Sequence, residues 1–311
     1  MPASDAPILS VVLCTWNRAS GLDRTLATLA RCPAPAAGAW ELVLVDNACT
    51  DATPEVAARH AAHLPLRRVL EPVQGLAAAR NRGLSVARAP LIVFTDDDVD
   101  VDGGWLGAFV EAAAAHPEAA WFGGRILPSF DGPPPRWLRD PSMALLAGLL
   151  GHYDLGATAR PYGPDDPLPF GACFGLRRSA ADALGTFRTD LGVIGAEPGR
   201  GEETEYLTRA RERGLRGLYV GTALVHHRIP RDRFRAGALR EWGRQVGRSQ
   251  ARRGTRRPGT RRAEWGFLLR GLWQRARGRG DRYRQCLVNA GIQRGRREWW
   301  GPAGEGGDAV G

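Results

Sequence analysis

The chain contains no lysine, so all 43 of its strongly basic residues are arginines. It also lacks both ordinary phosphate-binding loops, G-x-G-x-x-G and G-x-x-x-x-G-K-[ST], which removes the usual dinucleotide-binding and P-loop readings. Cysteine is sparse and scattered. Cys14, Cys32, Cys49, Cys173 and Cys286 are odd in number and show no C-x-x-C spacing, so neither a disulfide framework nor a zinc site is expected, and a reducing cytoplasm suits them. No apolar run approaches the roughly 18 residues of a membrane span, Ala144 to Leu150 being the longest candidate. Met1 to Pro7 has no basic segment followed by an apolar one, so no secretory signal is expected. Internal repeats are absent too. These absences together lead to the expectation of a soluble, cytoplasmic protein.

What is present is enough for a sizeable core: 311 residues, 43% of them hydrophobic, suffice for one large domain or two smaller ones. The net charge of +10 is unevenly placed. Arg228 to Trp300 holds 22 arginines against five acids, a surplus of 17, which leaves the remainder net acidic by seven. Part of the arginine excess reflects a chain generally rich in Ala, Gly, Arg and Pro.

The first hundred residues alternate strand and helix. Ile8 to Cys14 has the β-branched content of a buried strand, followed by the loop Thr15-Trp16-Asn17-Arg18 and a helix bearing Leu22, Leu26 and Leu29. Glu41 to Val45 is a second strand ending at Asp46-Asn47, and Asp51 and Thr53 offer caps for the next helix. Leu66 to Leu70 reads as a third strand. Gly75 to Val86 reads as a helix of small residues able to pack close to a sheet, and it feeds the strand Leu91 to Phe94. This pattern predicts a mainly parallel, doubly wound α/β sheet with helices on both faces.

That fourth strand stops at Asp96-Asp97-Asp98, and five acids fall within the seven residues Asp96 to Asp102. Ligands of open α/β sheets bind outside the carboxyl ends of the strands, where Asp46 and the triple aspartate both fall. Three adjacent carboxylates suit a hard divalent cation; they also suit a solvated acidic helix start. Farther on, Gly103 to Ala115 predicts a helix, Ala119 to Ile126 a strand, Pro128 to Pro141 an irregular loop carrying Trp137, and Phe170 to Leu176 a strand. A short helix opens at Arg177, an acidic helix at Gly201-Glu202-Glu203, and Leu218 to Val225 is a strand leading to His226-His227.

Together these residues resemble the nucleotide-sugar-dependent glycosyltransferases of family 2, which have the GT-A fold. The likeness is carried by Thr-x-Asn-Arg after the first strand, Val45 to Asp51, Gly75 with Ala79-Arg80-Asn81-x-Gly83, Phe94 to Asp98, Phe170-Gly171-Ala172 with Arg177-Arg178, Gly201 to Glu205, and His226. It covers about Ile8 to Arg235 in order. The resemblance implies a Rossmann-like GT-A sheet with a C-terminal helical extension. Residues 1–102 would be its nucleotide-sugar half, 103–230 its acceptor half, and 231–311 an Arg- and Trp-rich helical region with a Gly-rich tail.

The same resemblance implies roles. Asp46, with Asn47 and the loop residues Thr15, Asn17 and Arg18, would line the nucleobase pocket, usually for uracil; Arg80 and Asn81 would lie near the diphosphate. Asp96 and Asp98 are similar to the two acids of the D-x-D motif, Asp98 toward Mn²⁺ or Mg²⁺ and Asp96 near the ribose. Asp97 could replace either by a shift of register. His226 is similar to the histidine that completes the metal site, with His227 as the alternative. Glu203 would be the general base, with Glu202 open in that role; the bland reading of both is a favourable helix N-terminus. The family inverts configuration by single displacement. Processive members carry Q-x-x-R-W and several membrane spans, whereas Gln245 to Arg248 is followed here by Ser249, so a single addition is expected. The acceptor class is a glycan, a lipid-linked molecule or a small molecule.

The C-terminal region bears Trp242, Trp265, Trp273, Trp299 and Trp300 among its arginines. Trp265, Leu268, Leu269, Leu272 and Ala276 share one helical face, which would either pack on its own domain or lie peripherally on the inner face of an anionic membrane. Nucleic-acid binding is a rival role for the basic segment, opposed by the acidic site edge that would repel such a ligand. A non-catalytic sugar-nucleotide-binding protein is the third class, opposed by the intact acids Asp46, Asp96, Asp98 and Glu203.

Overall fold

The structure, a computed structural model, describes residues 6–133, 150–193, 199–254 and 259–300. The loop expected over Pro128 to Pro141 lies outside them from residue 134 onward. So do most of the apolar stretch ending at Leu150, the centre of the Gly192 to Arg200 loop, and the Gly-rich tail.

The described residues form two compact units. The first lies within Met1–Ser129, Gly151–Asp190 and Glu202–Arg228, and so includes residues on both sides of Asp102; the second lies within Phe130–Leu150, Leu191–Gly201 and Ile229–Gly311.

The first unit is built on a nine-stranded sheet. Its strands are β1 Leu9–Thr15, β2 Trp40–Asp46, β3 Leu66–Leu70, β4 Leu91–Asp96, β5 Val99–Val101, β6 Trp121–Phe130, β7 Arg160–Pro161, β8 Cys173–Arg177 and β9 Gly217–Ile229. The order is β3-β2-β1-β4-β8-β6-β9-β5, with β7 on β9. The first four strands run parallel, which brings the ends of β1, β2 and β4 to one edge. Direction reverses at β8, which pairs antiparallel with both β4 and β6.

Side chains of β1 alternate between two cores, as the period of two in a strand requires. Leu9, Val11 and Leu13 join one cluster with Leu22, Leu26, Trp105 and Phe109; Val12 and Cys14 join the other with Ala77, Ala79, Leu184 and Tyr206. Helices therefore cover both faces: α1 Ala19–Leu29, α2 Thr53–His60 and α4 Trp105–Ala115 on the first, α3 Leu76–Val86, α5 Arg178–Leu184 and α6 Glu202–Glu212 on the second. The small residues of α3 allow the close approach expected of them, since a methyl on Gly83 would fall 2.3 Å from Val12 Cγ1. Asp51 joins two helix starts, its carboxylate accepting from Thr53 N at 3.1 Å and Ala19 N at 2.8 Å. Strand extents differ from expectation in part: β8 begins at Cys173 rather than Phe170, and β5 and β7 are strands the sequence did not announce. β6 continues through Pro128 to Phe130, and β9 continues through both histidines instead of ending before them.

The second unit contains α7 Ala236–Arg252, α8 Arg261–Ala276 and α9 Gly280–Trp300. Leu239, Trp242, Val288 and Ile292 are buried together. Between α7 and α9 the backbones nearly touch: added methyls on Gly243 and Gly247 would fall 2.2 Å from the carbonyls of Val288 and Ile292, and those on Gly291 and Gly295 2.0 and 1.9 Å from those of Arg240 and Arg244. Helix α8 reverses the orientation that would pack its apolar stripe on its own domain. Glu264, Gly271 and Gln274 are its buried residues, whereas Trp265, Leu269, Leu272 and Trp273 are 61%, 63%, 57% and 48% exposed. Among the described residues no helix is long and apolar enough to cross a membrane.

Two alanine substitutions of helical glycines should have opposite signs. Gly291→Ala must push a carbonyl aside and should destabilise by about 1–3 kcal/mol. Gly266→Ala meets open space on α8 and should stabilise by up to ~1 kcal/mol. Urea unfolding followed by circular dichroism reads both; equal shifts of the midpoint would refute the glycine seam.

Candidate functional site

The acidic turn joins β4 to β5 and is held from beneath by an arginine that the sequence reading passed over. Arg228 of β9 donates through Nη2 to the Asp97 carbonyl at 3.0 Å and to Gly21 O at 2.8 Å. Its Nη1 donates to Val99 O and to Asp100 Oδ1, both at 2.6 Å. Its one signal in the sequence is its place two residues beyond His226.

Above this support the three aspartates diverge. Asp97 turns back toward β1, accepting from Thr15 Oγ1 at 2.7 Å and from Arg18 Nη1 at 3.0 Å. Burial pushes its carboxyl up to about 6, with the Asp98 charge adding and Arg18 opposing. Asp98 accepts from Arg18 Nη1 at 2.8 Å and faces His227 Nε2 at 3.4 Å. Burial works against its charge, yet His227 and then Arg18 hold its carboxyl well below the usual range. Asp96 has the most open carboxyl of the three; burial raises its pKa and Arg80 pulls it down.

Strand geometry separates the two histidines. Within β9, Asp100 pairs with His226 and Val99 with His227, so the two rings point to opposite faces. His227 takes the Asp98 side, where Gly151 leaves it room: a methyl there would lie 3.0 Å from Nδ1. His226 instead lines a cleft of about 480 Å³ on the other face, with Arg24, Arg31, Asp100 and Asp102. Sequence alone offers the pair but not its parity.

A second convergence surrounds Arg80, which is 2% exposed. Its Nη1 donates to Glu202 Oε1 and lies 3.9 Å from Glu203 Oε2, while Nη2 donates to Asp96 Oδ1 at 3.3 Å. The guanidinium also lies over the Phe174 ring, 5.7 Å from its centroid. Gly171 makes this possible, since a methyl there would fall 2.0 Å from Nη2. Glu202 is locked by this contact and its side chain is 3% exposed; Glu203 is more open at 12%. Burial, with the Glu203 charge adding, pushes the Glu202 carboxyl up to about 7, against Arg80.

The remaining residues of interest mostly shape the loops. Asn17 adopts a positive φ of 51° and its Oδ1 accepts from Thr50 N at 2.7 Å. Asp46, buried at the end of β2, accepts from Cys49 N at 2.8 Å, with Arg68 Nη1 3.4 Å away. Asn47 spans to the next loop, donating to Val73 O at 2.7 Å and Glu71 O at 3.0 Å while accepting from Gly75 N at 2.7 Å. Asn81 makes a two-way bridge to the backbone of Phe187 at 3.0 and 2.8 Å. The amides of Asn47 and Asn81 are thus engaged by protein. Among the described residues no three His, Cys, Asp or Glu side chains are grouped to hold a metal ion.

Residues 10–185, more than half of the chain, match Glycosyl transferase family 2. The chain belongs to that family. Among curated relatives it is 43% identical over 98 residues to validoxylamine A glucosyltransferase of Streptomyces hygroscopicus subsp. jinggangensis, covering 31% of this chain and 23% of that one. It is 28% identical over 227 residues to the pre-mycofactocin glycosyltransferase of Mycobacterium tuberculosis, covering 70% and 42%. The chain therefore spans less than half the length of the curated relatives it matches. The fold is similar to that of a mannosyltransferase from Pyrobaculum calidifontis in complex with GDP-Man and Mn²⁺, with a TM-score of 0.61, 19% identity and coverage of 93% and 87%. It is also similar to TarS of S. aureus in complex with UDP-GlcNAc, with a TM-score of 0.54, 15% identity and coverage of 90% of each chain. The mixed α/β architecture is that of GT-A glycosyltransferases, with a helical C-terminal region.

In this family 2 chain, the raised Glu202 carboxyl should make stability depend on pH. A carboxyl whose folded pKa exceeds its unfolded value binds its proton more tightly when folded, so its contribution is complete below 4.5 and is lost as pH rises toward about 7. Across that window the melting temperature should fall more steeply for the wild type than for Glu202→Gln. Parallel slopes would exclude Glu202 as the group responsible.

Proposed function

We propose that the protein is an inverting glycosyltransferase that moves one sugar from a nucleoside-diphosphate donor, UDP-linked in the first instance, to an acceptor hydroxyl. The observation that carries this reading is the convergence on Arg80 of Asp96, from the end of β4, and Glu202 and Glu203, from the start of α6. Donor-side and acceptor-side acids are thereby held within one charged cluster at the carboxyl edge of the sheet, where ligands of such sheets bind. Family membership supports the reaction class.

Roles follow from exposure and partners. Glu203 is the general base for the acceptor hydroxyl, supported by its greater openness beside the locked Glu202. Asp46, at the end of β2 beside Thr15, reads the base, and the Thr15 to Arg18 loop lines the same pocket. Asp98 and His227 offer a carboxylate oxygen and an imidazole nitrogen side by side, a donor set that fits Mn²⁺ or Mg²⁺ completed by diphosphate oxygens and water. Such an ion, when bound, offsets negative charge on the leaving diphosphate. Arg18 bridges Asp97 and Asp98 and would share the Asp98 carboxylate with such an ion. Asp96 then lies toward the ribose. The acceptor is a glycan, a lipid-linked molecule or a small molecule, and the site of action is the cytoplasm or the inner face of its membrane.

A panel of nucleotide sugars with and without Mn²⁺ tests this, followed by thermal stabilisation and slow hydrolysis. One nucleotide class should respond, and only with metal. Asp98→Asn should abolish the response, while Glu203→Gln should keep the metal-dependent stabilisation and lower kcat for transfer by about 10²–10⁴-fold. Metal-dependent binding that survives Asp98→Asn would remove the metal assignment, and salt-sensitive DNA binding without donor hydrolysis would favour the nucleic-acid reading.

The two histidines make a sharper comparison. His227→Ala should lose metal-dependent donor binding, and His226→Ala should retain it. The reverse pattern would assign the ligand role to His226.

A further inference from the structure

Helix α8 is mounted with its polar side inward. At 100° per residue, Trp265, Leu269, Leu272 and Ala276 cluster along one line, flanked by Leu268 and Trp273. The residues it buries, Glu264, Gly271 and Gln274, lie on the opposite side. Glu264 is pinned there by Arg240 Nη2 at 2.6 Å and Arg297 Nη1 at 2.7 Å, and Gly271 sits against Cys286 and Tyr283. Ion pairs and a glycine contact therefore fix the helix to its unit and leave the apolar stripe facing out. An amphipathic helix that packs on its own domain has the reverse arrangement.

The charge around the stripe has one sign. Glu264 is the only acid in α8, and it is buried and paired. Arg261, Arg262, Arg270 and Arg275 are exposed on the helix, with Arg277 and Arg279 just beyond its end. The Arg277 guanidinium lies 3.9 Å from the centroid of the Trp273 ring, so an aromatic of the stripe is itself topped by a cation.

We propose that the exposed face of α8 is a peripheral docking surface for an anionic lipid bilayer, with Trp265, Leu269, Leu272 and Trp273 entering the boundary between headgroups and acyl chains and the flanking arginines pairing with lipid phosphates. At 1.5 Å per residue the helix would lie flat over about 24 Å of surface. Bilayers of this kind offer what the face requires, apolar depth beneath negative charge. A second copy docked on the same face would set arginine against arginine, and a nucleic acid offers no apolar layer to the central Leu269 and Leu272. The inference stands apart from the reading of the sugar-transfer site.

The test sediments the full chain with vesicles of phosphatidylcholine alone or mixed with phosphatidylglycerol. Wild type should bind the mixed vesicles at least tenfold more tightly than the neutral ones, and less tightly as salt rises. Leu269→Asp combined with Leu272→Asp should lose that binding at least tenfold while keeping the wild-type circular dichroism and melting temperature, because both side chains are exposed. Arg262→Gln with Arg270→Gln should weaken it several-fold and flatten its salt dependence. The proposal is overturned if wild type ignores both vesicle types or binds them equally, or if the paired aspartates leave binding unchanged. A wild-type dimer that those aspartates split would also overturn it, assigning the face to a second copy.

Discussion

Arg80 is a cation in the core, and the site is organised by the need to keep it paired. A buried guanidinium without partners would be costly, and removing one partner of a buried ion pair commonly costs about 3–5 kcal/mol. Burial opposes its charge, yet Glu202, Asp96 and Glu203 keep it protonated. The consequence reaches across the sequence, since Arg80 and Glu202 are 122 positions apart. Gly171 has to be small, Phe174 has to present its face, and α6 has to begin where it does. Pocket shape at the carboxyl edge is thus partly dictated by electrostatics in the core.

Arginine without lysine gives the first unit a recurring structural device. Arg178 donates to the carbonyl of Leu84 near the end of α3, Arg177 to those of Ala113 and His116 around the end of α4, and Arg209 to Leu184 at the end of α5. A planar fork of five donors suits the unsatisfied carbonyls of a helix C-terminus. Arginines that read as part of a family motif, Arg177 and Arg178, therefore also close helices.

Much of this was legible in the sequence because strand and helix periods are local properties. β1 to β4 and α1 to α3 fall where β-branched runs and Leu spacing put them, and Asp46 and Asp96 share the expected edge. Parity and orientation were harder. Which histidine faces Asp98 depends on β9 running on past Val225, a matter of pairing with β5. The partners of Asn47 and Asn81, the loop Glu71 to Gly75 and the Phe187 backbone, are distant in sequence, so these bridges show only in the fold. The stripe of α8 gave the right face but not its direction, because Glu264 meets Arg240 and Arg297 only once three helices are assembled.

The seam of Gly243, Gly247, Gly291 and Gly295 has a bearing on how this chain can diverge. With each α-carbon hydrogen set against a carbonyl of the facing helix, no side chain of any chemistry can be accepted there without prying α7 from α9. Drift in the second unit is accordingly channelled to outward positions. The inner surface of the helix pair behaves as a fixed chassis, and the outward tryptophans and arginines of α8 can be retuned to whatever surface the protein meets.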